Sequence, residues 1–304
     1  MRLLTRSDFD GLACAVLLKE IGLIDEYKFV HPKDVQDGLV EVTENDILTN
    51  IPYANGCGMW FDHHASENER IPERGSYKGD WRLADSAARV IYDYFGGKQT
   101  FCRLSEMMDA VDKADAGKFT RDEIMNPTGW VLLSFIMDPR TGLGRFRDYR
   151  ISNYDLMMKM IDLCRTNTAE SILEDSDVQE RVNRYYRLDK VFRDMLETHS
   201  KADGNVIISD LRGFDEIHPG NRFMIYALFP EQNISIWLID GKQKQNAVFA
   251  VGHSILNKTS QTNVGSLMLK YGGGGHHRVG TCQVAYAEAD KVLAELVDQM
   301  KKDG

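Results

Sequence analysis

No stretch of this 304-residue chain approaches the ~18 consecutive apolar residues of a membrane-spanning helix. Its opening, MRLLTRSDFDGLACAVLL, carries charges where a secretory signal would be apolar, so no export signal is read there. Cysteine is sparse. Cys14, Cys57, Cys102, Cys164 and Cys282 are odd in number and scattered, with no CxxC pair, which argues for reduced thiols in a cytoplasmic protein. Positive charge is also short: 37 Lys+Arg against 46 Asp+Glu leave a net charge of −9, which argues against a protein that coats DNA non-specifically. That balance still permits a small basic groove, or an anionic substrate held by metals. A Gly-x-Ser-x-Gly elbow is missing, which speaks against a serine hydrolase, and there is no P-loop. Internal repeats and low-complexity tails are absent as well. The remainder, 43% hydrophobic and 27% charged, has the composition of an ordinary globular enzyme. Its length suits about two domains.

The first 160 or so residues alternate short apolar runs with helical patterns. MRLLTRS, YKFVHP, NDILTNIP and CGMWFDHH read as strands, while LACAVLLKEIG and SAARVIYDYFGG read as helices closed by glycine. Such alternation predicts βαβ units and a mostly parallel sheet with helices on both faces, an α/β fold. From about Ile151 to Ser200 the pattern is helical and strongly charged, and reads as a solvated connector. Beyond Gly204, NVIISDL, RFMIYALFP, ISIWLID and AVFAVGH read as four short strands. A helix-like VGSLMLKYG, a strand TCQVAYA and a final helix EADKVLAELVDQMKK follow. The expected organisation is an α/β domain over 1–165, a helical connector over 166–200 and a smaller α+β domain over 201–304.

In parallel sheets, ligands gather at the carboxyl ends of the strands. Three polar clusters fall there: Asp8/Asp10, Asn50 and Asp62-His63-His64. The carboxylates of Asp8 and Asp10 are hard oxygen ligands suited to Mn²⁺ or Mg²⁺. The same pair also suits the N-cap and first turn of a helix. Asp62-His63-His64 combines carboxylate and imidazole, a set for a transition metal, and equally reads as a polar turn. Asp109, Asp112 and Asp115, three residues apart, share one side of a helix, either as a solvated face or with one of them completing a metal site. Four consecutive glycines, Gly272 to Gly275, precede His276, His277 and Arg278. Successive N–H groups there can form an anion-binding nest, with the basic side chains adding donors for phosphate; a flexible loop is the alternative. Met157, Met158 and Met160 read as core fillers.

Taken in this order, the motifs resemble those of the DHH phosphoesterase superfamily, which includes family II pyrophosphatases, RecJ-type exonucleases, oligoribonucleases and exopolyphosphatase relatives. SDFDGLACAVLL resembles its first motif, FDHH its signature motif, and YGGGGHHRVGTC the glycine-rich motif of its C-terminal substrate-binding domain. The resemblance implies a phosphohydrolase, with one or two Mn²⁺ (or Mg²⁺) ions held by Asp8, Asp10, His63 and Asp115, and with Asn50 as a weak ligand. Asp112 is the competing choice for the last of these. His64 would face the phosphate, Asp62 would orient the histidine pair, and Arg278 would offset phosphoryl charge. Gly273, Gly274, Gly275, His276 and His277 would hold a second phosphate or a nucleotide end. The implied partner is a phosphate-containing small molecule or a short nucleic-acid end, with a homodimer as one state of assembly. Two positions depart from the family pattern: Leu4 stands where a histidine is common, and Asn50 where an aspartate bridges two metals. Asn50 offers only a neutral oxygen, so one metal is expected to bind tightly and the second weakly. The competing expectation is a nucleotide- or phosphate-binding protein without turnover.

Overall fold

The computed structural model describes residues 1–67 and 77–304. The chain divides into two compact units. The first comprises Met1–Lys118 and Pro127–Arg184, the second Phe119–Asn126 and Tyr185–Gly304.

The first unit is built on a five-stranded parallel sheet of β1 (Arg2–Thr5), β2 (Glu26–Phe29), β3 (Asp46–Thr49), β4 (Met59–Asp62) and β5 (Gly79–Trp81), in the order β2-β1-β3-β4-β5. All carboxyl ends therefore lie along one edge, which brings residues 6–8, Asn50 and His63 together. The central strands β1 and β3 have apolar centres, Leu3-Leu4 and Ile47-Leu48, and are almost wholly buried, as strands covered on both faces are. Helix α1 (Phe9–Glu20) follows β1 directly and is buried from Phe9 to Leu18, the mark of an interior helix. Gly11 has a steric reason: a Cβ there would sit 2.0 Å from the Arg6 carbonyl oxygen. After α2 (Pro32–Gln36) come α3 (Ala87–Tyr94) and α4 (Ser105–Asp115), which supply the remaining walls of the site. The short α5 (Arg121–Met125) belongs to the second unit, and α6 (Gly129–Met137), α7 (Asn153–Thr166) and α8 (Ala169–Leu173) complete the first.

The stretch expected to be a solvated connector ends in one long helix, α9 (Ser176–His199). Its polar composition hides a buried stripe of Val178, Val182, Tyr185, Phe192, Met195 and Leu196. The second unit carries a mixed six-stranded sheet, β10-β11-β9-β8-β7-β6. Its strands are β6 (Ser200–Asp203), β7 (Val206–Asp210), β8 (Ile234–Asp240), β9 (Ala247–His253), β10 (Gly274–His276) and β11 (Val279–Val284). Here β7 and β8 are parallel and the other pairs antiparallel. The terminal helix α12 (Tyr286–Asp303) buries Leu296 and Met300 in the same apolar cluster as the Ile234, Ile236 and Leu238 side chains of β8. The α/β architecture matches the reading from sequence.

One expected strand is a helix. RFMIYALFP forms α10 (Met224–Leu228), preceded by Asn221, whose side-chain Oδ1 accepts from the Phe223 amide at 3.0 Å. A short, fully buried apolar run has no polar face to reveal its period, so pattern alone cannot separate the two states. No helix among the described residues is long and apolar enough to cross a membrane.

Candidate metal centre

Asp8 stands between β1 and α1 and N-caps the helix, its Oδ1 accepting from the Gly11 amide at 3.0 Å. The capping role and membership of the carboxylate group therefore coexist. Asp8 Oδ1 also accepts from Asn50 Nδ2 at 3.0 Å, and Oδ2 pairs with Arg6 Nε at 3.0 Å. Asn50 sits after β3 at φ 54°, a left-handed conformation that asparagine tolerates better than most residues. Its amide N–H is turned to Asp8, so this side chain steadies a carboxylate instead of repeating one.

Asp10 lies in the first turn of α1 with no exposed side-chain surface. Its two oxygens accept from the Ala88 and Ala87 amides at 2.8 and 2.9 Å. These are the first N–H groups of α3, where helix geometry leaves donors free and favours negative charge. Burial pushes the Asp10 carboxyl well above the ordinary aspartate range, and the charges of Asp115 and Asp8 push the same way. Asp115 ends α4. Burial raises its pKa too, with His63 opposing and Asp8 reinforcing.

His63 joins these carboxylates. Its Nδ1 lies 3.1 Å from the Ala84 carbonyl oxygen, an atom that only accepts, so Nδ1 carries the proton. In the neutral ring, Nε2 then presents a lone pair. That atom is buried without a hydrogen-bond partner, 3.2 Å from Asp115 Oδ2 and 3.7 Å from Asp10 Oδ2. A lone pair facing two carboxylates is electrostatically unfavourable alone and well matched to a cation at their centre. Asp10, His63 and Asp115 offer ligand atoms within 4.8 Å of one another, as do Asp62, His63 and His64. A backbone carbonyl on the second ring nitrogen is the usual means of fixing a metal-binding histidine. The donor set thus fits a hard or borderline divalent ion.

Buried Asp62 accepts from His64 Nδ1 at 2.8 Å. Burial alone would lower the His64 pKa, but the Asp62 bond and the surrounding carboxylates raise it, to about 9. The ring is 40% exposed, so its protonated Nε2 is open to a ligand.

Asp112 is placed differently. It accepts from Ser86 Oγ at 2.7 Å and from Arg89 Nε and Nη2 at 2.7 and 2.6 Å. Ser86 in turn N-caps α3, whose amides hold Asp10, so Asp112 supports the cluster from behind and Asp115 joins it. Asp109 is exposed.

In the second unit, the glycine run is an ordered hairpin edge. The Gly272 and Gly273 amides donate to Leu269 and Met268 carbonyls, closing α11 (Val264–Leu269), so these two N–H groups do not form the expected open nest. Gly274 to His276 pair antiparallel with Val279 to Thr281. The glycines permit this approach: a Cβ on Gly273 or Gly275 would meet a β11 backbone oxygen at 2.1 or 2.2 Å. Exposed His276 ends β10, exposed His277 and Arg278 form the turn, and the His277 ring lies edge-on to His253.

Two cations beside the carboxylates were missed from sequence. Arg6, which pairs with Asp8, directly precedes the first motif. Arg140, half exposed and paired with Asp138 at 2.7 Å, feels the charges of Asp8 and Asp115. It stands in a stretch to which the family resemblance contributes nothing, although Asp138-Pro139-Arg140 is a turn-like signal.

A parallel sheet with a carboxylate–imidazole centre along its carboxyl edge describes the class of enzyme that places a divalent ion against an anionic substrate. Among solved structures, PggH, a pGpG-specific phosphodiesterase from Vibrio cholerae, is 51% identical, with 100% of this chain and 99% of that one covered and a TM-score of 0.88. RecJ from Thermus thermophilus in complex with Mn²⁺ is 14% identical, with 99% and 52% covered and a TM-score of 0.56. An exopolyphosphatase-related protein from Bacteroides fragilis is 11% identical, with 99% and 92% covered and a TM-score of 0.52. These two share the fold. No family model and no curated protein matches the chain. The chain belongs to the DHH phosphoesterase family, a family of hydrolases.

Proposed function

We propose that the protein is a divalent-metal-dependent phosphodiesterase acting on a short guanine oligonucleotide of the pGpG kind. The observation that carries the chemistry is the orphaned, buried Nε2 of His63 aimed between Asp10 and Asp115. The choice of substrate is supported by the 51% identity, over essentially whole chains, to a pGpG-specific phosphodiesterase. Asp8, Asp10, His63 and Asp115 would hold the ion, with Mn²⁺ the preferred occupant. A divalent ion so bound supplies Lewis-acid polarisation of a phosphoryl oxygen and acidifies water to a nucleophile at neutral pH.

The other residues act on their own account. Asp62 fixes the His64 ring and keeps it protonated, so Nε2–H is available to a phosphoryl or leaving-group oxygen. Arg6 and Arg140 add positive charge beside Asp8 and Asp115, where the substrate's phosphate must approach. In the second unit, exposed His276, His277 and Arg278 offer donors for a phosphate. Asn50 holds Asp8 in place, which favours one tightly bound ion over a bridged pair.

The test is release of GMP from pGpG with Mn²⁺, set beside polyphosphate and a nucleotide bisphosphate, for the wild type, Asp10→Ala and His63→Ala. Both variants are expected to lose activity and the thermal stabilisation that Mn²⁺ confers, about 2.7 kcal/mol at a hundredfold excess over Kd. Wild-type protein that binds pGpG, takes up no metal and cleaves nothing would instead establish a binding protein.

A further inference from the structure

A cavity of about 470 Å³ lies within the first unit, beside the metal centre but separate from it. Its walls are chiefly apolar: Phe29, Leu133, Met137, Pro139, Met157 and Met160. Close-packed interiors hold few voids larger than a water molecule, and an apolar void forfeits packing contacts. A space of this size and lining is characteristic of a small-molecule site. The wall also includes Tyr154, 47% exposed and edge-on to Phe29 at 6.1 Å, a large aromatic surface without full cover.

The cavity reaches Arg6 and Ser7, and Arg6 Nε is 3.0 Å from Asp8 Oδ2. A ligand can therefore place a phosphate at the carboxylate cluster and an apolar, flat group in the cavity. Among the polar groups around it, Asp138 is an acceptor, its Oδ1 engaged by the Arg140 amide and Nε at 2.9 and 2.7 Å, and three others are donors. Asn153 Oδ1 is taken by Arg181 Nε and Nη2 at 3.3 and 3.2 Å, which leaves Nδ2, a donor, without a partner among the described residues. His31 Nδ1 accepts from the Lys33 amide at 3.2 Å, so its Nε2 carries the proton and also donates. Arg6 only donates. Three donors favour a base edge with adjacent acceptors. Guanine has O6 and N7 on one edge, whereas adenine puts an amino group beside N7.

We propose that this cavity is the base-recognition subsite of the enzyme and takes a guanine of the substrate. The assignment rests on the phosphodiesterase reading above. It gives Met157 and Met160 a second role as adaptable walls, whose soft thioethers suit an aromatic face.

Gly144 supplies the test. It lines the cavity outside the left-handed region, and an added Cβ meets only Asn153 Nδ2, at an ordinary 3.5 Å. Gly144→Leu is thus expected to fill the cavity without straining the fold. Activity is measured on pGpG and on its abasic counterpart, and the ratio of the two kcat/KM values is expected to fall by about tenfold or more in Gly144→Leu. Binding is read without catalysis by titrating guanosine into metal-free protein labelled with ¹³C at methionine methyls. The Met137, Met157 and Met160 signals should shift in the wild type, less with adenosine, and not in Gly144→Leu. Tyr154→Ala, which removes a wall at the surface, should weaken the shifts and serves if Gly144→Leu does not fold. Unmoved methionine signals, equal response to adenosine, or an unchanged selectivity ratio in a folded Gly144→Leu protein would overturn the proposal. If wild-type protein cleaves no diester, the functional reading fails, and the methionine shifts alone still decide whether the cavity takes a guanine.

Discussion

Asp112 and Asp115 are one helical turn apart on α4, and nothing in their spacing tells a ligand from a support. The difference is tertiary. Asp115 meets His63 Nε2, while Asp112 is occupied by Arg89 and Ser86. Through Ser86, Asp112 secures the start of α3, and through the Ala87 and Ala88 amides that helix secures Asp10. Asp112 is therefore a positioning residue. Asp112→Asn is expected to lower cation affinity by roughly 10–100-fold, the usual cost of losing an outer partner of a metal site. Calorimetric titration of Mn²⁺ checks this, and saturating Mn²⁺ should restore much of kcat, which it will not do for Asp10→Ala. At this scale the sequence was informative about residue type. Asp8, Asp10 and the Asp62-His63-His64 run were visible because unusual polar residues follow apolar strands. Arg6 and Arg140 were not, because a single arginine in a loop carries no pattern.

The edge that carries the site depends on β1 and β3 keeping register, Arg2 opposite Asp46. Asp46 is buried and accepts from Arg2 Nε and Nη2 at 2.6 and 2.9 Å and from the Thr43 amide at 2.7 Å. Burial alone would raise its pKa, but the Arg2 bonds and the Thr43 bonds outweigh it and hold the carboxyl below the ordinary aspartate value. The folded state thus binds this proton less readily than the unfolded chain. The resulting stabilisation is complete above the unfolded pKa, near 3.9, and is lost as pH falls through the lower folded value. Asp46→Asn should therefore cost about 2 kcal/mol at pH 7, the scale of hydrogen bonds to a charged group. That deficit should shrink below about pH 4 in urea melts, as the wild type loses the same charge. Strands such as β1 and β3 were legible because a sheet buried on both faces demands continuous apolar runs. The helix α10 was not, because burial on all sides erases the periodicity that distinguishes it from a strand. The glycine run was legible as unusual, yet its hairpin follows from pairing with β11, a partner that local sequence does not identify.

At the scale of the molecule, the sequence suggests a single cut near residue 200, whereas the chain passes between its two units more than once. Residues Phe119–Asn126 are flanked on both sides by the first unit and fold with the second. There Arg121 Nε donates to the Ala227 carbonyl at 2.8 Å, Arg193 Nη2 donates to the Met125 carbonyl, and buried Phe119 packs against Phe223 at 5.6 Å between ring centroids. Composition shows no boundary here, because eight residues with one short helix are too few to form a pattern. The consequence is a stability map that does not follow chain order. Phe119→Ala removes a buried ring and should cost about 3–5 kcal/mol. The loss belongs to the second unit although Asp115, four residues earlier, belongs to the metal centre of the first. Native-state hydrogen exchange separates the possibilities, since opening free energies are read amide by amide. Amides of α10 and of β7 to β9 should lose protection in Phe119→Ala, while those of β1 and β3 keep theirs and Mn²⁺ binding is retained. A uniform loss across both sheets would show that the units open together, and that the crossing segment couples the whole chain into one cooperative fold.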